Sequence, residues 1–92
     1  MHHDPNEGGP SPANEDARDQ RAVLTRVLAL HPTHLTLPEL AREVCQDPDS
    51  FEEGDAVARA VRDLAVSGLL RMNGAVVMPT RAAVHFDSLS GV

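Results

Sequence analysis

A mainly helical domain carrying one small β-hairpin is what this sequence predicts, and three features predict it. Apolar residues recur at helical spacing from Ala17 to His31 and again from Val57 to Leu64. Asn73-Gly74 stands between the short apolar runs Leu69–Met72 and Ala75–Met78, a strong hairpin signal. Thr36-Leu-Pro-Glu39 has the residues of a capping box, which starts a helix.

Taken in order, residues 1–16 hold three Pro, two Gly and four acids, with Met1 and Ala13 the only apolar residues. Such a segment buries too little surface to offset its ordering entropy, so it is expected as a disordered acidic tail. The folded domain is expected over residues 17–89, with a flexible end over 90–92. In the first helix Val23, Leu24, Val27, Leu28 and Leu30 form the apolar side. Asn14 or Asp16 can cap it, and His31-Pro32 ends it, because a residue before Pro disfavours the helical region.

Thr33 to Leu37 alternates enough for a short extended stretch. Helix two follows, with Pro38 in its first turn and Leu40, Ala41, Val44 and Cys45 inward, and it stops before Asp47-Pro48. Helix three starts either at a second capping box, Ser50-Phe-Glu-Glu53, or later at Gly54-Asp55. Val57, Ala60, Val61 and Leu64 share its inward face, and Gly68 supplies the left-handed stop. With Asn73-Gly74 as the turn, Leu70, Met72, Ala75 and Val77 share one hairpin face, with Arg71, Val76 and Met78 on the other. Pro79 ends the second strand, and Thr80 caps a last short helix holding Ala83, Val84 and Phe86.

Composition narrows the function. With no Trp, no Tyr and two Phe, the core must be built from Leu, Val and Ala, and few aromatic platforms remain for stacking bases or sugars. One cysteine excludes an internal disulfide framework. No apolar run reaches the roughly 20 residues that span a bilayer, and no signal peptide pattern opens the chain, so a soluble cytoplasmic protein without a membrane partner is expected. The formal net charge is −6. All eight basic residues are Arg, which looks like the codon bias of a GC-rich genome.

No catalytic constellation stands out: there is no Gly-rich phosphate loop followed by Lys, and the carboxylates are spread over helix surfaces. An enzyme is not expected, nor a cofactor. His31, His34 and His85 lack a metal-ligand spacing, and any copper or nickel chelation by Met1-His2-His3 would be incidental. Cys45 reads as a small core residue.

The order helix, short strand, helix, helix, hairpin, short helix resembles the winged helix-turn-helix domains of bacterial transcription regulators. The matching stretches are LTLPELAREV (35–44), AVARAVRDLAVSGLL (56–70) and RMNGAVVMPT (71–80). The resemblance implies a three-helix core, a two- to three-stranded sheet and a short C-terminal helix. It also implies double-stranded DNA as partner, with helix three in the major groove and the hairpin as a wing. The outward set of helix three is Asp55, Arg59, Arg62, Asp63 and Val66. DNA contacts would then fall to Arg59 and Arg62 on helix three, Arg71 and Asn73 on the wing, Arg42 on helix two and Arg81 after the wing. Readers of this kind usually work as homodimers on two-fold sites, with helix one or the last helix as the place to pair.

Alternatives stand beside that reading. Arg59 can pair with Asp55 and Asp63 along its own helix. The net acidity suits a winged helix used as a protein–protein module without direct DNA binding, for which Val76 and Met78 offer an outward apolar surface. The acidic tail can also fold back on the arginines as an electrostatic autoinhibitor.

Overall fold

The computed structural model describes residues 12–90, with side chains from Asn14 onward. The expected tail lies outside the described residues from 1 to 11, as do Gly91 and Val92. The elements in order are α1 (Pro12–Leu30), β1 (Leu35–Thr36), α2 (Leu37–Val44), α3 (Phe51–Val66), β2 (Leu70–Asn73), β3 (Val76–Pro79) and α4 (Arg81–Ser90). The chain is therefore mainly helical with a small antiparallel sheet, as expected.

Helix α1 begins at Pro12, before the expected boundary at Ala17. Two local preferences explain the extension: Pro is favoured at the first helical position, and Glu15 in the first turn complements the positive end of the helix dipole. Helix α2 opens on the complete Thr36–Glu39 capping box, with Pro38 in its first turn. Helix α3 opens at Ser50, whose hydroxyl accepts from the Glu53 amide at 3.3 Å. The second box is only half made, because the Glu53 carboxylate accepts from the backbone N–H of Asp47 at 2.7 Å instead. That bond braces the loop between α2 and α3.

The end of α3 is a Schellman turn. Gly68 has φ of +85°, Leu69 N–H donates to the Leu64 carbonyl at 2.9 Å, and Gly68 N–H donates to the Ala65 carbonyl at 3.1 Å. Gly68 is the residue type that reaches this conformation without strain. The chain then turns directly into β2.

The sheet has the order β1-β3-β2, with all neighbours antiparallel. Asn73 pairs with Val76, so the two turn residues are Gly74-Ala75 rather than the expected Asn73-Gly74. The cause is visible in the backbone: Gly74 alone has positive φ, at +62°, which fits glycine as the first central residue of a type II′ turn. Met72 therefore faces Val77 and Leu70 faces Pro79, while Ala75 leaves the strand. The side-chain faces survive this shift because the pairing moves by two residues, and only an odd slip would invert them. Leu37 N–H donates to the Ala75 carbonyl at 2.8 Å, tying the start of α2 to the hairpin turn.

The core is aliphatic. Val23, Val27, Leu40, Val57, Ala60, Val61, Leu64, Leu70 and Val77 form one buried cluster, and Ala41, Val44 and Cys45 pack against it half-buried. Both phenylalanines lie outside it, Phe51 at 89% exposure and Phe86 at 71%. Val76 and Met78 are half-buried rather than an open apolar surface, whereas Met72 near the hairpin turn is exposed.

Candidate nucleic-acid interface

Six side chains were expected to contact DNA, and all six are exposed: Arg42, Arg59, Arg62, Arg71, Asn73 and Arg81. Exposure alone does not make a surface, so their placement decides what they can do together. Arg71 and Asn73 lie two residues apart on β2, on the face opposite the buried Leu70. Successive same-face positions on a strand are about 7 Å apart, close to the spacing of phosphates along one DNA strand.

Arg62 projects from the outward side of α3, with Asp55 and Val66. Arg59 is placed differently. It lines a crevice between α1 and α3 together with Asp16, Asp19 and Asp63, and Asp63 is half-buried rather than fully outward. The pairing of Arg59 with Asp55 and Asp63 is not closed: among the described residues the one ion pair within 4.0 Å is Arg26–Glu43, at 3.8 Å. Arg59 nevertheless sits in a largely acidic setting, since Glu15, Asp19, Glu52 and Glu53 line the neighbouring crevice with Arg18 as its one cation.

Arg81 stands at the opposite end of the hairpin from its turn. It opens α4 and shares a shallow crevice with His31 and His85. Those histidines were not linked to Arg81 in the sequence reading, although the i, i+4 spacing of Arg81 and His85 on a helix was open to view. Arg42 lies in the last turn of α2, one helical turn beyond Glu39. The structure thus gathers Arg71 with Asn73, sets Arg62 on α3, and leaves Arg42, Arg59 and Arg81 in three separate settings.

Charge divides along the same line. From Asp47 to Asp63 the chain carries six carboxylates, Asp47, Asp49, Glu52, Glu53, Asp55 and Asp63, against Arg59 and Arg62. From Leu64 to Phe86 it carries Arg71 and Arg81 and no carboxylate at all. The first half of α3 repels an anion; the hairpin attracts one. That acid-free stretch is plain in the sequence.

Two ionisable groups are shifted. Glu39 is held below the ordinary carboxylate value by accepting from the Thr36 backbone N–H at 2.9 Å and hydroxyl at 2.8 Å, with the Arg42 charge adding to this. Cys45 is pushed up by burial and by the negative charges of Glu53, Asp19 and Asp47. A thiol with a raised pKa holds little thiolate at neutral pH, so Cys45 is suited to packing rather than nucleophilic chemistry. Among the described residues no group of three His, Cys, Asp or Glu side chains is placed to hold a metal ion, and no helix is long and apolar enough to cross a membrane.

No family model, curated protein or solved structure matches the chain.

Proposed function

We propose that this chain is a winged helix-turn-helix module that binds double-stranded DNA as part of transcription regulation, with the β2–β3 hairpin as its principal contact. The order of the helices and the β1-β3-β2 sheet support the fold. The observation that carries the DNA reading is the pairing of Arg71 and Asn73 on the outward face of a hairpin within an acid-free stretch. Arg71 gives a charge-assisted contact to phosphate, and Asn73 beside the turn can donate to phosphate or accept and donate at a base edge. Arg62 adds a third contact from α3. The acids at the start of α3 lessen the general attraction for DNA, so binding is moderate, and its dependence on salt reflects the few arginine contacts.

Fluorescence anisotropy with a pool of labelled genomic duplexes, repeated over a range of salt, tests this reading. Arg71→Ala is expected to weaken binding severalfold and to reduce the slope of log K against log salt by about 0.9, the share of one phosphate. Absence of binding by the native chain at low salt would overturn it.

A second reading is favoured by one observation: Phe51, at 89% exposure, stands among Asp49, Glu52, Glu53 and Asp55 at the start of α3. An exposed apolar side chain in an acid-rich stretch suits a cationic protein surface better than a phosphate backbone. Failure of the DNA titration, together with capture of a basic partner that Phe51→Ala abolishes, would select it.

A further inference from the structure

Helix α4 has two unlike sides. One, with Ala83, Phe86 and Asp87, lies toward α1. The other carries Arg81, Val84, His85 and Ser88, which line a crevice of about 470 Å³ together with His31 and Pro79. That volume falls within the range of roughly 300–1,000 Å³ typical of small-molecule sites. Arg81, His85 and Ser88 follow the i, i+4, i+7 row of one helix face, a stripe about 10 Å long. His31 reaches the crevice from a different element: it follows the last residue of α1, and its N–H donates to the Leu28 carbonyl at 3.3 Å. Two segments far apart in the chain thus set one guanidinium and two imidazoles around one opening. Among the described residues no carboxylate lines it.

The chemistry of the lining selects the ligand. Arg81 is a permanent cation with a planar fork of N–H donors, and each imidazole keeps an N–H donor in either tautomer. Three donor side chains suit the three peripheral oxygens of a phosphate monoester better than the two oxygens of a carboxylate. Farther along the stripe, the Ser88 hydroxyl donates to the His85 carbonyl at 2.8 Å, so its oxygen is left to accept. A ligand that reaches Ser88 must therefore bring a donor such as a hydroxyl group. Pro79 and Val84, both half-buried, offer a short apolar wall for a carbon frame. No Phe, Tyr or Trp lines the crevice, which leaves a nucleobase without its usual stacking platform.

We infer that the crevice between α4 and the end of α1 is a binding site for a small sugar phosphate, with Arg81, His31 and His85 on the phosphate and Ser88 on a sugar hydroxyl. Arg62, Arg71 and Asn73 take no part, so the inference goes beyond the DNA reading and stands or falls without it. The side chains are exposed and the crevice is shallow, so a dissociation constant of about 1 mM is expected.

Amide chemical shifts of the isotope-labelled native chain test this, with glucose 6-phosphate, inorganic phosphate, glucose or AMP added at constant ionic strength and without DNA. Glucose 6-phosphate is expected to move the resonances of His31 and of Arg81 to Ser88 in a saturable way. Inorganic phosphate should move the same set but bind severalfold more weakly, and glucose should leave it in place. Arg81→Ala is expected to weaken both anions about tenfold, the worth of one charge-assisted contact. Ser88→Ala should weaken glucose 6-phosphate severalfold and leave inorganic phosphate unchanged, a split that a merely structural role would not produce. Both positions are exposed, and circular dichroism checks that the variants stay folded. Shifts that do not saturate, or that spread equally to Arg62 and Arg71, would overturn the inference. So would an Arg81→Ala chain that binds as well as the native one, a Ser88→Ala chain without that split, inorganic phosphate binding as tightly as the sugar phosphate, or tighter binding of AMP.

Discussion

Helices α3 and α4 begin alike and end up in opposite conditions. Each follows a hydroxyl residue that accepts from the amide three positions on: Ser50 from Glu53 at 3.3 Å, Thr80 from Ala83 at 3.2 Å. Each has an apolar stripe. Yet α3 buries Val57, Ala60, Val61 and Leu64, while α4 buries Ala83 alone and leaves Phe86 and Leu89 in solvent. The difference shows that amphipathic spacing makes a helix with a face to hide but does not say what hides it. In α3 the protein's own core does so; in α4 the stripe remains open to solvent.

The largest effect that would test this contrast comes from α3. Leu64→Ala removes a buried core side chain while keeping the carbonyl that closes the turn, and it is expected to cost about 2–5 kcal/mol of stability. Urea unfolding followed by circular dichroism measures it, and the loss should be the same at every protein concentration, because Leu64 closes the core of a single chain. A smaller effect attaches to the joint between the two helices. The Thr80 hydroxyl caps α4 and also donates to the Gly68 carbonyl at 2.8 Å, linking the start of α4 to the turn that ends α3. Thr80→Ala should therefore cost about 1 kcal/mol, the usual worth of a helix cap. A loss no greater than that of an ordinary surface substitution would mean that α4 is held by other contacts.

How much of this was legible in the sequence follows the same division. The inward stripe of α3 was fully readable, because Val57, Ala60, Val61 and Leu64 repeat at the helical period and a closed core leaves them no other place. The Thr36–Glu39 box and the stop at Gly68 were readable for a similar reason: each is local chemistry that a few consecutive residues decide. The hairpin was readable as a hairpin, but its turn was misplaced by one residue, because Asn73 and Gly74 can both lead such a turn and only the backbone angle at Gly74 selects between them. The start of α1 was missed because the Pro and Gly of the leading segment outweighed the preference of Pro12 for a first helical position. For the candidate interface, the exposure of the six polar residues followed from periodicity. Their grouping did not: Arg59 faces the acids of α1, and Arg81 joins His31 and His85, through packing between elements distant in the chain. The apolar sides of α1 and α4 were legible one by one, but the groove between them depends on how the two helices pack.

The smallest expected effect bears most directly on the contrast. Phe86→Ala in α4 removes far more side chain than Leu64→Ala in α3, and area lost from the molecule would rank it as the greater damage. At 71% exposure, however, the ring gives up little burial within the protomer, and alanine is the better helix former. Its unfolding free energy should stay within about 0.5 kcal/mol of the native chain, the range of ordinary surface changes. A loss approaching that of Leu64→Ala in dilute solution would place Phe86 in the core of the single chain and remove the distinction between the two helices.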